Sequence, residues 1–396
     1  MKALLLENIH ADASPIMEGA GLSVDRRSGA LGPDDLLTAL DGAQVLGIRS
    51  NTKVTKDVIE AMPDSVQAVG CFCIGTNQID LEAAAKRGIA VFNAPYSNTR
   101  SVVELVLAEI VALSRRLVDR STSTHAGLWD KSAEGSHEVR GHTLGIIGYG
   151  NIGSQLSTVA EAFGMHILYY DLADKLALGN AKRCASMDEL LSQSDFVTIH
   201  VDGRPGNAGL FGADQFAAMK DGAMFLNLSR GFVIDPGALA SALRSGHLAG
   251  AAVDVFPVEP KSKNEPFVSD LQGIPNVILT PHVGGSTQEA QVDIGHFVAT
   301  KLADYLATGS TVMSVNLPEV AVPPIRGRRV THIHENVPGV LAQLNAVLSK
   351  HQANIAFQAL STVGEIGYVV TDVTAAAPGL TAELAQVPGT IRVRLI

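Results

Sequence analysis

Short apolar runs bounded by polar residues recur through the first part of this chain. Such runs predict the buried strands of a parallel sheet, and the segments between them predict helices. The predicted strands are Ala3–Leu6, Val45–Ile48, Val66–Val69 and Ile89–Phe92, and the predicted helices are Asp57–Met62 and Leu81–Lys86. The pattern therefore indicates an α/β unit of its own, placed before any recognisable motif.

The same alternation continues further along the chain. It predicts a second parallel sheet with helices on both faces. The predicted strands are Phe196–His200, Ala223–Asn227, Gly250–Asp254 and Val277–Leu279, and the predicted helices are Met187–Gln193, Pro236–Leu243 and the closing helix Thr287–Leu306.

The last seventy or so residues follow a different pattern. A proline-rich stretch at 317–324 indicates an extended linker. The order after it is β-α-β-β-α-β, which is typical of a ferredoxin-like module and favours a regulatory or binding role. The predicted elements are Arg328–Ile333, Gly339–Lys350, Ile355–Ser361, Ile366–Thr374, Leu380–Gln386 and Thr390–Leu395.

One motif lies between these patterns. Residues 144–153 read LGIIGYGNIG, an apolar strand that runs into G-x-G-x-x-G, and a second apolar strand ends at Asp171. The glycines permit a tight turn, close approach of a pyrophosphate and close helix packing, with the helix N-terminus facing the phosphates. A carboxylate at Asp171 accepts hydrogen bonds from ribose hydroxyls and repels a 2′-phosphate. The motif therefore predicts a dinucleotide site that prefers NAD to NADP.

Charge and composition narrow the class of protein. The formal net charge of −10 over 396 residues disfavours nucleic acid and anionic membranes as partners. The apolar start, Met1–Leu6, is too brief for a signal peptide, and no apolar run approaches the roughly 18 residues of a membrane span. A cytoplasmic location follows as an expectation. The pair Cys71 and Cys73 lacks a second pair of metal ligands at a suitable spacing, so buried thiols are the favoured interpretation and no metal is predicted.

Three predicted strand ends carry residues that suit hydride transfer. Arg230, Glu259 and His282 follow successive strands, and ligands of parallel sheets lie beyond the carboxyl ends of strands. A hydride leaves an alcohol carbon only as the hydroxyl loses its proton, so a base is needed, and His282 is the candidate. Glu259 can orient its ring, and the planar guanidinium of Arg230 can hold a substrate carboxylate.

Four short sequence motifs together resemble those of a known family, the dehydrogenases of D-2-hydroxy acids. The matching strings are GYGNIG at 148–153, NLSRG at 227–231, DVFPVEP at 254–260 and PHVGGST at 281–287. The resemblance narrows to the D-3-phosphoglycerate dehydrogenases of the bacterial short type, which end in an ACT regulatory domain. It does so through GCFCIGTN at 70–77, FNAPYSNTRS at 92–101 and HIHEN at 332–336.

The resemblance implies a fold, an activity and a set of sites. It implies a Rossmann NAD-binding domain (98–284) inserted in a substrate-binding domain (1–97 with 285–316), a linker (317–326) and an ACT domain (327–396). It implies NAD-dependent oxidation of 3-phosphoglycerate in L-serine biosynthesis, inhibition by L-serine, and a homotetramer. The implied catalytic residues are Arg230, Glu259 and His282. The implied cofactor residues are Gly148, Gly150, Asn151, Ile152, Gly153, Asp171, His200, Leu228, Ser229, Arg230, Asp254, His282, Gly284 and Gly285. The implied substrate residues are Arg49, Asn98 and Lys131, and the implied serine residues are His334, Asn336 and Asn354.

Some positions depart from the family pattern, and other functions stay open. Asn51 stands where a second basic residue is expected, Asp202 where a proline is expected, Asn207 where serine or threonine is expected, and Val337 where a basic residue is expected. One alternative is another D-2-hydroxyacid dehydrogenase, of the hydroxypyruvate, glycerate or lactate type. Others are a non-catalytic NAD-sensing regulator on the same fold and a purely amino-acid-sensing regulator. The latter leaves the first 300 or so residues unexplained.

Overall fold

A computed structural model describes residues 1–260, 264–375 and 378–396. Within this part of the chain, packing separates two compact units. One comprises Met1–Ser97 with Gln291–Ile396, and the other comprises Asn98–Ala290. Among the described helices, none combines the length and the apolar character that crossing a membrane requires.

The first unit begins with a five-stranded parallel sheet. Its strands are β1 (Lys2–Leu5), β2 (Ser23–Arg26), β3 (Val45–Ile48), β4 (Ala68–Cys71) and β5 (Ala90–Asn93), and its helices are α1 (Ala13–Gly19), α2 (Pro33–Ala39), α3 (Lys56–Ala61) and α4 (Leu81–Lys86). Every residue of β3, β4 and β5 is buried, as expected of strands covered on both faces. The strand order is β2-β1-β3-β4-β5, so the order reverses between β1 and β3. Sheets of this type bind ligands at such a switch point.

The second unit contains a seven-stranded parallel sheet in the order β12-β11-β10-β9-β6-β7-β8. This is the Rossmann order with one further strand, and its switch point lies between β6 and β9. The strands are β6 (Thr143–Ile147), β7 (His166–Tyr170), β8 (Lys182–Arg183), β9 (Phe196–Ile199), β10 (Ala223–Asn227), β11 (Leu248–Val253) and β12 (Val277–Leu279). The helices are α5 (Thr99–Ser114), α6 (Leu117–His125), α7 (Asn151–Ala162), α8 (Met187–Gln193), α9 (Ala213–Ala218) and α10 (Pro236–Arg244).

After helix α11 (Gln288–Thr308) the chain forms an antiparallel sheet in the order β14-β15-β13-β16. Its elements are β13 (Arg328–Glu335), α12 (Val340–Lys350), β14 (Ile355–Val363), β15 (Ile366–Val373), α13 (Leu380–Leu384) and β16 (Thr390–Leu395), which confirms the predicted β-α-β-β-α-β order. Helices α12 and α13 cover one face. The other face belongs to the same apolar core as α11 and the first sheet, and there the Tyr368 hydroxyl donates to the Gly309 carbonyl oxygen at 2.6 Å.

The predicted α/β class is confirmed, but several elements were not predicted from the sequence. Strand β2 is polar and only partly buried, and helix α6 buries none of its residues, so neither carries a clear apolar pattern. Helices α1, α2 and α5 also lie outside the predictions. The proline-rich stretch forms no helix or strand, yet Leu317 and Val320 are buried in the core of the first unit.

Candidate active site

His282 and Glu259 form a hydrogen-bonded pair beyond the ends of β12 and β11. His282 Nδ1 lies 2.9 Å from Glu259 Oε2, and the second carboxylate oxygen, Oε1, accepts from the Phe256 amide at 3.1 Å. The backbone of His282 is left-handed, with φ of 55°, and its amide donates to the Asp254 carbonyl oxygen at 2.8 Å. The imidazole is half exposed, so its other nitrogen is accessible to a reactant.

The pKa values of His282 and Glu259 are shifted in directions that suit proton transfer by the histidine. The hydrogen bond with Glu259 raises the pKa of His282 above its usual value, against burial and the positive charge of Arg230, which lower it. Burial raises the pKa of Glu259, but hydrogen bonds from His282 and the Phe256 amide, with the charges of His282 and Arg230, outweigh it and lower the pKa. Arg230 therefore lies within electrostatic range of both residues. The three predicted catalytic side chains come together.

Gly231 allows this convergence. A Cβ at this position would lie 2.0 Å from the carbonyl carbon of Phe256, so only glycine lets the loop after β10 touch the loop after β11. The side-chain amide of Asn227 then donates to the Arg230 carbonyl oxygen at 3.1 Å. The Arg230 guanidinium also donates to the Ser229 carbonyl oxygen at 2.7 Å, which fixes its stem.

The carboxylate of Asp254 holds the loop that carries His282. One oxygen accepts from the Thr280 hydroxyl at 2.6 Å and from the Val283 amide at 2.8 Å, and the other accepts from the Gly284 amide at 2.8 Å. Hydrogen bonds from backbone amides to a carboxylate are strong, so the Asp254 side chain positions the loop. The predicted role of Asp254 in cofactor binding stays a prediction, because these hydrogen bonds do not involve a cofactor.

The glycine loop after β6 has the geometry that a dinucleotide needs. Gly148 has φ of 89°, and a Cβ there would lie 2.5 Å from the His200 carbonyl oxygen. A Cβ on Gly153 would lie 2.3 Å from the Gly148 carbonyl oxygen, whereas no atom of the described residues lies within 4 Å of a Cβ on Gly150. The open space is thus next to the N-terminus of α7, where a pyrophosphate is favoured. Asp171 accepts from the Tyr149 amide at 2.8 Å, which ties the acid to this loop.

Comparison with known proteins bears on this geometry. The profile of the D-isomer specific 2-hydroxyacid dehydrogenase NAD-binding domain matches residues 107–284, and an ACT domain of the AHAS small subunit-like type matches residues 330–392. The D-3-phosphoglycerate dehydrogenase of Haemophilus influenzae is 51% identical, over 100% of this chain and 97% of that protein. The enzyme of the same name from Dictyostelium discoideum is 47% identical over the same shares. The chain belongs to the D-3-phosphoglycerate dehydrogenase family.

Solved structures of dehydrogenases from the wider D-2-hydroxyacid family have a similar fold. D-2-hydroxyisocaproate dehydrogenase superposes with a TM-score of 0.72 at 26% identity, over 80% of this chain and 100% of that chain. A D-lactate dehydrogenase from Aquifex aeolicus, in complex with NAD and lactic acid, superposes with a TM-score of 0.65 at 26% identity, over 78% and 96% of the two chains. Like other D-3-phosphoglycerate dehydrogenase family members, the chain is an NAD-dependent oxidoreductase. The predictions of family, fold, enzyme class and cofactor are confirmed.

The other predicted cofactor residues of this D-3-phosphoglycerate dehydrogenase family member lie along the same strand ends. Asn151 and Ile152 open α7, and Ser229 donates from its amide and its hydroxyl to the Asn227 side chain, at 3.1 and 2.8 Å. Burial lowers the pKa of His200 to about 3, so its ring is neutral, and its buried Nδ1 has no hydrogen-bond partner in the part of the chain that the structure describes. A Cβ on Gly285 would lie 2.0 Å from Asn98 Nδ2, so Gly285 and Asn98 are in close contact.

The three predicted substrate residues have different surroundings. Asn98 precedes α5, and its buried Oδ1 has no hydrogen-bond partner among the described residues. Lys131 is exposed in a segment without helix or strand, two residues after the exposed Trp129. Arg49 belongs to the first unit and directly follows β3, at the switch point of that sheet.

Two departures from the family pattern are linked to each other in the structure. Asp202 pairs with the guanidinium of Arg204, at 2.7 and 2.5 Å, and accepts from the Asn207 side chain at 3.0 Å. These contacts close the loop after β9 on itself, without the proline and hydroxyl residue of the family pattern. Asn51 donates its amide to Glu7 at 2.9 Å, so its backbone is part of the loop after β3.

The predicted effector residues do not come together within one chain. His334 and Asn336 lie at the end of β13, where the Asn336 side chain donates to the Gly364 carbonyl oxygen at 3.0 Å. Asn354 precedes β14 and accepts, through its carbonyl, from the Thr374 amide at 3.1 Å, at the opposite end of the sheet. The length of β13 separates the two ends by roughly 25 Å. His334 is buried, and no described residue forms a hydrogen bond with its Nε2.

Two buried carboxylates near the sites were missed by the sequence analysis. Glu7 follows β1 and accepts from the amides of Arg49, Asn51 and Thr52, at 3.2, 2.9 and 2.9 Å. Burial raises the pKa of Glu7, but the hydrogen bonds from these amides outweigh it and lower the pKa. Burial, assisted by the charge of Asp254, raises the pKa of Glu109 on α5 to about 8. The acid directly after an apolar run was the only sequence signal for Glu7.

Proposed function

We propose that this protein oxidises D-3-phosphoglycerate to 3-phosphohydroxypyruvate with NAD as the hydride acceptor. The observation that carries the reaction type is the 2.9 Å pair of His282 and Glu259, with Arg230 in electrostatic range of both. The choice of substrate rests on the names of relatives about half identical over the whole chain.

The chain's own groups supply the proton chemistry. NAD, when bound, supplies the hydride acceptor. The neutral His282 takes the hydroxyl proton from the alcohol through Nε2, and the resulting imidazolium is stabilised by Glu259 at Nδ1. The Arg230 guanidinium holds the substrate carboxylate and polarises the oxygen on the reacting carbon. In the reverse direction the protonated His282 returns the proton.

Arg49, Asn98 and Lys131 are proposed to bind the substrate. The resemblance assigns them this role, and the fixed loop that Glu7 builds supports a defined position for Arg49. The Oδ1 of Asn98 is buried and finds no partner within residues 1–260, 264–375 and 378–396, which supports a polar ligand at that residue. The domain boundaries and a cytoplasmic location stay predictions.

One assay separates this activity from its alternatives. NADH formation with 3-phosphoglycerate, glycerate and D-lactate at equal concentrations, and NADH consumption with 3-phosphohydroxypyruvate, compare the candidate substrates directly. The proposal expects the phosphorylated pair to have the highest kcat/KM. A preference for glycerate or lactate would move the protein to another dehydrogenase of the same family. Turnover with none of them, together with intact NADH binding, would favour a non-catalytic sensor.

L-serine is the proposed effector, bound at a seam between the ACT domains of two chains in a tetramer. Because His334 and Asn336 lie at one end of the sheet and Asn354 at the other, a single chain does not join them, and a two-chain site can. An asparagine side chain can accept from an ammonium and donate to a carboxylate, which suits a zwitterion. Calorimetry with millimolar L-serine on wild type, Asn336→Ala and Asn354→Ala tests this, and no heat on wild type would end the proposal.

A further inference from the structure

Cys71 and Cys73 form a close thiol pair at the end of β4. The amide of Cys73 donates to the carbonyl oxygen of Cys71 at 2.7 Å, and this three-residue turn places the two sulfurs 3.4 Å apart. A disulfide bond is about 2.05 Å long, so closing one here requires the sulfurs to approach by only about 1.3 Å. Cys184 is the third cysteine of the chain and lies in the other unit.

The surroundings of the pair hold it in place without tying it to a metal. The Gly75 carbonyl oxygen lies 3.1 Å from Cys71 Sγ and 3.2 Å from Cys73 Sγ, so either thiol can donate its one hydrogen to it. The side-chain amide of Gln78 donates to Cys71 Sγ at 2.6 Å and to the Arg49 carbonyl oxygen at 2.6 Å. Among the described residues, no group of three or more His, Cys, Asp or Glu side chains could hold a metal ion.

The two sulfurs differ in exposure and acidity. Cys71 is fully buried, whereas Cys73 is partly exposed. A hydrogen bond from Cys71 lowers the pKa of Cys73, against burial, with further lowering by Gln78 and by the positive charge of Arg49. The same hydrogen bond and burial raise the pKa of Cys71. Because the thiolate is the nucleophile, Cys73 is the sulfur that meets an oxidant and Cys71 is the one that resolves it.

We propose that Cys71 and Cys73 are a redox-modification site, which a hydroperoxide closes reversibly to a disulfide. The Cys73 thiolate attacks one oxygen of hydrogen peroxide, the O–O bond breaks, and the hydroxide that leaves takes up a proton to form water. The sulfur of Cys71 then attacks the sulfur of the Cys73 sulfenic acid. The S–O bond breaks, the S–S bond forms, and the thiol proton of Cys71 leaves with the hydroxide as a second water. The two thiols lose two electrons, and the peroxide gains them.

The disulfide also changes the loop that carries Arg49. The oxidised sulfurs have no hydrogen to donate to the Gly75 carbonyl oxygen. The Gln78 side-chain amide donates to both Cys71 Sγ and the Arg49 carbonyl oxygen, so a movement of Cys71 Sγ towards Cys73 is transmitted through Gln78 to Arg49. This consequence rests on the proposed role of Arg49 in binding the substrate phosphate. Oxidation is therefore expected to raise KM for 3-phosphoglycerate several-fold while kcat changes less.

The test treats the full chain with hydrogen peroxide, blocks free thiols and maps peptides by mass spectrometry. A loss of two hydrogens in the peptide with Cys71 and Cys73, reversed by dithiothreitol, is the expected result. Cys71→Ser and Cys73→Ser are expected to form no such bond, and the matched control Cys184→Ser to behave like wild type. Free thiols at both positions after treatment, or sulfinic acid on Cys73 without a disulfide, would overturn the site.

Kinetics on the same samples test the consequence separately. Wild type and Cys184→Ser should show the rise in KM and recover with dithiothreitol, and Cys73→Ser should not show it. A disulfide that forms with KM unchanged would overturn the link to Arg49. Mass spectrometry needs no substrate, so failure of the proposed activity cannot be mistaken for failure of the redox site.

Discussion

His282 Nδ1 lies 2.9 Å from Glu259 Oε2, and this one contact raises the pKa of the histidine while it fixes the orientation of the ring. Oxidation of the alcohol needs neutral His282, so kcat/KM is expected to fall as the pH drops below the raised pKa. Reduction needs protonated His282, so its rate is expected to fall as the pH rises above that value. Opposite pH profiles in the two directions are the measurement that checks this.

Glu259→Gln removes the charge that raises the pKa of His282. The acid limb of the oxidation profile is therefore expected to move to lower pH, and kcat to drop about ten- to a hundredfold, as is typical when an orienting partner is lost. His282→Asn is expected to cost about 10²–10⁴-fold in kcat with little change in NADH affinity. An unchanged acid limb in Glu259→Gln would contradict the pairing.

Asp171→Ala is expected to lower the ratio of kcat/KM for NAD over NADP roughly tenfold or more, because the carboxylate that repels a 2′-phosphate is lost. Arg204 is exposed and lies within electrostatic range of Asp171. Its charge would then favour the 2′-phosphate. The double variant Asp171→Ala with Arg204→Ala should therefore use NADP less well than Asp171→Ala alone, and an unchanged ratio in the single variant would place the acid away from the ribose.

Arg49→Ala and Lys131→Ala are expected to raise KM for 3-phosphoglycerate more than they lower kcat, because contacts to a remote phosphate stabilise the ground state and the transition state alike. Lys53→Ala is a matched control, since Lys53 donates to the Ser50 carbonyl oxygen in the same loop as Arg49. Equal effects on glycerate, which has no phosphate, would argue against phosphate binding by either residue.

Gly231→Ala is expected to destabilise the fold by about 1–3 kcal/mol and to abolish most turnover, since its Cβ would lie 2.0 Å from the Phe256 carbonyl carbon. The matched control is Gly206→Ala in the same unit, where the added Cβ would have no neighbouring atom within 4 Å among the residues that the structure describes. Measurements of the thermal unfolding temperature and of kcat for both variants test this expectation. Normal activity in Gly231→Ala would mean that the loops of Arg230 and Glu259 need no such approach.

Glu109 links stability to pH. Its pKa is raised to about 8 in the folded state, so its full contribution to stability is present below the unfolded value of 4.5 and is lost as the pH rises through about 8. Relative to Glu109→Gln, the wild type should lose up to about 1.4 kcal/mol of unfolding free energy per pH unit within this window. Urea unfolding from pH 5 to 9 measures this, with the exposed Glu104→Gln as control. If the unfolding free energies of the wild type and Glu109→Gln changed in parallel with pH, the Glu109 carboxyl would be solvated in the folded state.

Much of the catalytic site was predictable from local sequence. The strands β3, β10 and β12 have the predicted bounds, and residues 228–231 follow β10 as expected. The G-x-G-x-x-G turn also has the predicted form, because a left-handed or close-packed glycine is required by the local backbone itself. Apolar runs and turn residues act over a few positions, so one sequence displays them fully.

The sequence by itself determined which segments form buried strands, roughly where these strands end and which polar side chains follow them. Only the tertiary structure decided which of those ends meet. Glu7 bonds to amides more than 40 residues away, Gly231 touches Phe256, and the sheet register separates Asn354 from His334. The physical reason is that such contacts depend on strand order, register and the close packing of loops, none of which is encoded in the pattern of any single segment.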